Sequence, residues 1–552
     1  MHISTSFAST AAPAPIMRPH TPRILVIGAG SQGHAYAEPI TRLGLGRIVA
    51  VCEPILWKRE DFGQRYIWGL SNRPPFAYEV FEDWKYFIEY EKTRRERLRA
   101  GLIREGDDEF KSVEAVFVCV LDELHVHVVK ALAPLGLHIM CEKPLATSLH
   151  DCIDIQATMQ REWETLGKKT IFGIGHVLRY SPHNMMLRKL VKEDRVIGDV
   201  VSVEHTEPIG WWHMAHSFVR GNWRRQDMTA PSLMTKSCHD IDFLMWLLCS
   251  AASSEKRRDP HLPSFISSTG SLKQFRKARK PRAAGSATNC LQCPIEPTCL
   301  YSAKSIYVDN LLNPDDLDWP LKTIVPEIED LYVKGKAVAE KRLLEVLAQD
   351  YTPETPDSEV KQRSWYGRCV WECDNDVCDD QVVTITWEDD PLPRSGVSHG
   401  FQNGTSKTTG EDVGGLNGRA AKTAIFHMIA PTEKICERRG RVYGTEGEIE
   451  YDSDTISVHS FATGKTVQHA TSVAGKGHGG GDESMAEKFC QAVQAVTSGD
   501  MEAGEAQRSW LGCDIEEIVR SHLVVFAAEK ARRERVVVDW QSFVEERMAS
   551  AL

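Results

Sequence analysis

A short apolar run, residues 24–27 (ILVI), leads without a break into Gly28, Gly30 and Gly33, spaced G-x-G-x-x-G. The first glycine suits a tight strand-to-helix turn. The second lets main-chain amides approach a pyrophosphate, and the third lets the helix pack closely on the strand. The amino end of that helix then faces the anion. Ser31 and Gln32 lie within the same turn and join the three glycines as expected cofactor contacts. A second apolar run, residues 47–52, ends in Glu53. A carboxylate at this distance from the glycines can hold the ribose hydroxyls and repel a 2′-phosphate, so NAD is expected in preference to NADP. Lys58 and Arg59 follow closely and soften that preference.

The pattern continues in the same sense. Residues 113–120 (VEAVFVCV) are almost unbroken apolar sequence, the signature of a strand buried on both faces. A helical segment over 125–135 and a strand over 137–141 follow, leading into Glu142, Lys143 and Pro144. This alternation predicts a doubly wound α/β Rossmann domain over 23–150. Residues 62–108 are long for one crossover and highly charged after Glu89, so they read as an added helical excursion. At 552 residues the chain exceeds what one core supports, and a second domain is expected over 151–552, with a cysteine-containing insert at about 251–375.

The net charge of −11 argues against nucleic acid or an anionic membrane surface as a partner. No apolar run approaches the roughly 18 residues of a spanning helix. Residues 1–22, rich in Ala, Ser, Thr and Pro, read as a disordered leader. Fifteen cysteines scattered through a large chain fit reduced thiols in the cytoplasm.

Several motifs together resemble the glucose-fructose oxidoreductase / inositol dehydrogenase / MocA family. They are GAGSQG at 28–33, DELH at 122–125, CEKPLA at 141–146, GHVLRYSP at 175–182, KSCHDIDFLMWLL at 236–248 and GTEGEIEYD at 444–452. The resemblance implies a second, α+β domain with a large, mostly antiparallel open sheet covering the nicotinamide. Short strands at 200–205, 381–387, 422–428, 440–442, 447–451 and 457–461 are compatible with it, as are helices at 182–192, 239–248, 483–498 and 514–531. A closing strand is expected at 536–540. The resemblance further implies assembly into a homodimer or homotetramer, a catalytic Lys143 and a general base at His239. His125, Glu142 and Lys143 itself are also expected to contact the cofactor. The related sugar and inositol dehydrogenases carry an Asp four residues before this histidine, where this chain has Thr235, with Lys236 beside it as a substitute acid or electrostatic group.

Residues 204–225 (EHTEPIGWWHMAHSFVRGNWRR) mix Trp, His and Arg in the way a carbohydrate-like small molecule requires, with aromatic faces for C–H surfaces and polar tips for hydroxyls. Trp212, His213, His216 and Arg220 are the pocket candidates, joined by His176 and Arg179. A buried aromatic hinge is the competing reading. Cys290-x2-Cys293-x5-Cys299, with Cys373 as the expected fourth ligand and Cys369 and Cys378 behind it, suits a structural zinc; unliganded thiols are the alternative. His478 and Asp482 flank three glycines, and Asp482 is expected to cap the helix that follows.

The expected activity is NAD-dependent hydride transfer at a secondary alcohol or ketone of a sugar or polyol. Two others stand beside it: redox-neutral, glycosidase-like elimination or epimerisation through bound NAD, and a non-catalytic dinucleotide-binding regulator.

Overall fold

The computed structural model describes residues 20–69, 73–104, 112–250, 259–317, 319–391, 416, 418–471 and 478–549. Most of the expected leader therefore lies outside the described residues. Strands β1 (Arg23–Ile27), β2 (Arg47–Cys52), β3 (Val80–Phe81), β4 (Ala115–Val118), β5 (His138–Cys141) and β6 (Phe172–Ile174) form one sheet in the order β3-β2-β1-β4-β5-β6. Every pairing in it is parallel. Strands β1, β4 and β5 are buried along almost their whole length, which is why their sequences are unbroken apolar runs rather than alternating ones. Helices α1 (Ser31–Arg42), α2 (Leu56–Tyr66), α3 (Trp84–Arg99), α4 (His125–Leu132) and α5 (Leu149–Leu166) supply the crossovers. Chain order reverses between β1 and β4, and such a switch point is where sheets of this kind bind ligands.

The span 62–108 is not wholly helical: it contributes β3 before α3. The sheet also takes β6 beyond residue 150. Strands of two and three residues show no readable periodicity.

The turn after β1 leaves no room for a side chain at Gly28. Its φ is +100°, and a Cβ there would lie 2.3 Å from the Cys119 carbonyl oxygen. Gly33 is as constrained, since its Cβ would fall 2.3 Å from the Gly28 oxygen. Gly28→Ala is therefore expected to abolish NAD binding in a calorimetric titration and to lower the melting temperature of the protein without ligand.

The second sheet has nine strands: β7 (Val200–Pro208), β8 (Phe265–Ser271), β9 (Asp380–Trp387), β10 (Lys422–Ile429), β11 (Arg439–Gly444), β12 (Gly447–Tyr451), β13 (Thr455–Ser460), β14 (Lys465–Ala470) and β15 (Val538–Asp539). Their order is β14-β13-β12-β11-β7-β10-β9-β8-β15. Only the β7–β10 pair is parallel. Strand β9 alternates half-buried and buried residues along its whole length, the mark of one face on the core and one turned outward. The core face packs on the Cys238–Leu248 and Ile515–Glu534 helices. Two strands escape sequence reading for a physical reason. Strand β8 (FISSTGS) is mostly Ser, Thr and Gly, and β14 (KTVQHA) is almost entirely exposed, so neither needs an apolar face.

Candidate active site

The cofactor cradle sits at the switch point. Helix α1 starts after Gly30, and no side chain caps it. A Cβ on Gly30 would meet nothing within 4 Å, so the turn opens onto free space. Uncapped helix amides facing an open cradle fit a pyrophosphate. Glu53, only 6% exposed, accepts hydrogen bonds from the Ala29 amide (2.9 Å) and the Ile55 amide (3.0 Å), tying the glycine turn to the end of β2. His125 is fully buried, with its ring nitrogens against the Pro144 oxygen (2.6 Å) and the Val120 oxygen (3.2 Å). It shapes the cradle from behind and is not turned into it, contrary to the sequence expectation of a cofactor contact.

Lys143 follows β5 directly, and its peptide bond to Pro144 is cis. The next amide, Leu145, donates to His522 Nε2 (2.9 Å), while His522 Nδ1 meets the Ile518 oxygen (2.9 Å). The loop carrying Lys143 is thereby anchored to the Ile515–Glu534 helix. Lys143 Nζ donates to the Thr235 carbonyl oxygen (2.8 Å) and lies 5.7 Å from the Trp223 ring centre. Among the described residues no carboxylate stands within ion-pair distance of it. Thr235, where an acid was looked for, offers Lys143 a backbone oxygen instead. Asp122 is the nearby carboxylate that sequence reading missed as a site group, although it opens the DELH motif. Its Oδ2 accepts from Trp223 Nε1 (2.9 Å), and burial pushes its pKa up to about 6 against the pull of Lys143.

Glu142 accepts from the Tyr36 hydroxyl and from the Lys143 amide (3.1 Å). Burial pushes its pKa from 4.5 to about 7, with Tyr36 and Lys143 working against that rise. The folded protein thus holds a proton that the unfolded chain releases between pH 4.5 and about 7. Stability from this group is complete below that window and is lost as pH rises through it. The melting temperature of Glu142→Gln without ligand, relative to wild type, should therefore rise between pH 5 and 8.

His239 stands at the first turn of the Cys238–Leu248 helix and is 1% exposed. Its Nε2 lies 2.7 Å from Arg438 Nη2 and 3.3 Å from Asp240 Oδ2, while Nδ1 has no protein partner among the described residues. Burial drives its pKa well below the usual histidine range. Asp240 pulls the other way, and Arg438 and Lys143 add to the depression. His239 is therefore a neutral imidazole with one free nitrogen, in place of the readily protonated base that sequence suggested. Arg438 is the residue most clearly missed. It reaches Asp240 (2.5 Å) and Glu207 (3.1 Å), and Asp240 in turn meets His205 Nε2 (3.1 Å). Lys236 joins this network through Glu207 (3.1 Å) and Cys436 Sγ (2.9 Å). Burial opposes its charge, but Cys436 and Glu207 outweigh burial, so Lys236 holds its proton more tightly than an ordinary lysine. Of the two roles expected of it, acid or electrostatic group, its buried ion pair with Glu207 fits the second.

The expected pocket residues divide. His213 keeps a place beside the site: it is half-buried, its Nδ1 has no partner among the described residues, and Lys236 and Lys143 both add to the lowering that burial imposes on its pKa. The others are taken up by structural contacts. Arg179 forks onto Asp242 (2.6 and 2.7 Å) and reaches Glu517 (2.8 Å), and His176 Nδ1 lies 3.1 Å from the same Asp242. His216 meets the Tyr307 hydroxyl (3.0 Å) and stacks on Tyr366. Trp212 stacks on Trp319. Arg220 is buried among carbonyls and thiols of the cysteine insert. The insert accounts for this, because its own apolar cluster covers the aromatic segment. Asp482 is not a helix cap, since Gly480 occupies that position; it accepts from Gln32 Nε2 (2.8 Å) and pairs with His478 Nδ1 (2.9 Å). The His239 and His478 rings lie 5.8 Å apart, edge to face, which brings this pair to the same site.

Among the described residues one group, His176, Cys238 and His522, brings three possible metal-ligand atoms within 4.8 Å of one another. The hydrogen bonds of His522 already occupy both of its nitrogens. The expected zinc set needs a correction. Cys290, Cys293 and Cys299 line one small pocket together with Cys369, whereas Cys373 lies outside that lining, its Sγ turned to the Cys369 oxygen.

Comparison with known proteins agrees with this architecture. Residues 22–168 match the NAD-binding Rossmann fold of an oxidoreductase family, and residues 188–261 match the C-terminal alpha/beta domain of the same family. Both matched segments, 22–168 and 188–261, are those of the Gfo/Idh/MocA oxidoreductase family. Within it, 2,7-anhydro-N-acetylneuraminate hydratase of Escherichia coli (strain K12) is 30% identical over 138 residues, 25% of this chain and 34% of that protein. Inositol 2-dehydrogenase of Paracoccus denitrificans (strain Pd 1222) is 27% identical over 255 residues, 44% of this chain and 62% of that enzyme. The chain thus matches from about a third to under two thirds of the length of these curated relatives. A levoglucosan dehydrogenase solved with NADH shares the fold at a TM-score of 0.54 and 14% identity, covering 94% of this chain and 99% of its own. The shared fold therefore extends well beyond the segments recognisable by sequence. No described helix is long and apolar enough to cross a membrane.

Proposed function

We propose that the protein is an NAD-dependent dehydrogenase acting on a secondary alcohol or the corresponding ketone of a sugar, polyol or related molecule. The observation that carries this reading is Lys143. Its Nζ stands at the carboxyl edge of the parallel sheet, donates to a single backbone oxygen and, among the described residues, has no carboxylate within ion-pair distance. Bound NAD would accept or return the hydride. The glycine turn and the amino end of α1 would hold its pyrophosphate, and Glu53 the ribose hydroxyls. Lys143 would donate a hydrogen bond to the reacting oxygen and stabilise alkoxide character there, in a water-poor site where such a donor counts most. The free Nδ1 of His239 would fix the same oxygen or its neighbour, with Arg438 holding the ring in place. His213 would contact the remainder of the substrate. The inositol dehydrogenase relative supports a polyol-like substrate.

A second reading is favoured by the hydratase relatives and by Thr235 in place of an acid. In it, tightly held NAD oxidises the substrate transiently, elimination or hydration follows, and the cofactor is restored. One experiment separates the two: purified protein is incubated with NAD and a panel of sugars, polyols and anhydrosugars, following both NADH absorbance and substrate loss by chromatography. Stoichiometric NADH supports the dehydrogenase. Substrate loss without NADH supports the redox-neutral reading, and neither signal with firmly bound NAD would sink both.

A further inference from the structure

Oxidising an alcohol requires a group that takes the hydroxyl proton, and the two side chains placed at the reacting oxygen are both donors. Lys143 acts there by donating a hydrogen bond. His239 Nε2 lies 2.7 Å from Arg438 Nη2. A guanidinium offers only donors, so Nε2 must accept, and the neutral ring carries its hydrogen on Nδ1. The Asp240 oxygen, at 3.3 Å, is the longer contact of that same nitrogen. The free Nδ1 of His239 is therefore a donor as well, and the acceptor must come from elsewhere.

The glycine-rich turn before the Gly481–Thr497 helix supplies one. His478 has a φ of +37°, a left-handed backbone that few residues other than glycine adopt, and Gly479 and Gly480 continue it at +60° and +79°. A Cβ on Gly481 would lie 2.4 Å from the Val177 oxygen, so the chain here is pressed against its neighbour. This path sets His478 Nδ1 2.9 Å from Asp482 Oδ2, while Gln32 Nε2 donates to Asp482 Oδ1 (2.8 Å). Burial works to raise the pKa of Asp482, but His478, Gln32 and Lys143 outweigh it and hold the carboxyl below its usual range. An ionised carboxylate only accepts, so His478 carries its hydrogen on Nδ1 and keeps a lone pair on Nε2. Among the described residues Nε2 has no hydrogen-bond partner, and the side chain is 27% exposed, open to exchange with water.

We infer that His478, oriented by Asp482, is the catalytic proton acceptor of the dehydrogenase, an inference that rests on the hydride-transfer reading above. The His478 and His239 rings stand edge to face with centres 5.8 Å apart, so a hydroxyl held by His239 lies within reach of His478. The substrate O–H bond breaks and its proton passes to Nε2, as the carbinol C–H bond gives its hydride to bound NAD. Nε2 then releases the proton to solvent. In ketone reduction the same nitrogen returns it. Asp482 has a second duty, because its other oxygen holds Gln32 in the glycine turn and so fixes the acceptor relative to the cofactor cradle.

The test uses His478→Ala and Asp482→Asn in the full-length chain. His478→Ala should lower kcat by ~10²–10⁴-fold, the usual range for a lost acid–base group. NAD affinity by calorimetry should stay within a few-fold, and free imidazole should restore part of the rate, which a merely structural histidine would not allow. Wild-type kcat in His478→Ala, or a loss that imidazole leaves untouched, would overturn the inference while the dehydrogenase reading stands. Absence of turnover in the wild type would instead sink that reading. The histidine pair is also read without turnover, by ¹⁵N NMR of histidine-labelled, NAD-bound protein at neutral pH. The expected spectrum shows His478 with its hydrogen on Nδ1 and a bare Nε2. In Asp482→Asn the amide oxygen stays with Gln32 and the amide nitrogen faces Nδ1, so the hydrogen should move to Nε2 and kcat should fall with it. A wild-type His478 with its hydrogen on Nε2 would overturn the inference whatever the activity.

Discussion

Replacing Lys143 with methionine is expected to lower kcat by about 10²–10³-fold, the usual effect of removing one donor aimed at developing negative charge in a dry site. Among the described residues Lys143 Nζ has one hydrogen-bond partner, the Thr235 oxygen, and no ion pair whose loss would unsettle the fold. The pyrophosphate cradle is built from a different loop, so NAD affinity should remain within a few-fold of wild type. Steady-state kinetics with the substrate found in the panel, together with calorimetric titration of NAD, check the two halves of the expectation. A variant that retains wild-type kcat would remove Lys143 from the chemistry. One that loses NAD binding as well would make it a cofactor residue first.

The largest stability effect is expected at Arg438. Its guanidinium serves Asp240 and Glu207, both 0% exposed, and braces Nε2 of His239. Arg438→Met strips buried Asp240 of its guanidinium and leaves Glu207 with Lys236 alone, a break for which a loss of about 3–5 kcal/mol is typical. Thermal and urea unfolding should register it directly. The cycle with Asp240→Asn is the sharper measurement: the double variant should lose clearly less than the sum of the single losses, because neutralising Asp240 removes one of the charges stranded by Arg438→Met. If the two losses simply add, the pair is not a working ion pair.

Much of the first domain was readable because its signals are local. Gly28, Gly30 and Gly33 mark a turn whose geometry admits little else, and the strands beside it are buried on both faces and therefore uniformly apolar. The site was legible only in part. Lys143 and His239 were found through motifs, but their partners lie far away in sequence: Thr235 for Lys143, Arg438 for His239. Residue type could not reveal that Arg179 and His176 are committed to Asp242, or that Arg220 faces thiols, since burial and pairing arise only when distant segments meet. The fourth thiol shows the same limit. Sequence put Cys373 ahead of Cys369, and it is the backbone bridge at Asn289 and Arg368 that sets Cys369 in the pocket instead.

The return of the chain's end to its beginning bears on how the molecule is made. The Gly481–Thr497 helix lies against α1, its Phe489 ring meets Phe117 of β4 edge to face at 5.1 Å, and Asp482 accepts from Gln32 across 450 positions of sequence. A ribosome releases the nucleotide-binding sheet long before it releases the helix that covers it. The nascent domain must therefore wait with part of its apolar surface uncovered, the circumstance in which chains of this size engage chaperones or aggregate. A protein cut before residue 481 would keep every glycine of the cradle and still lack a wall of its core.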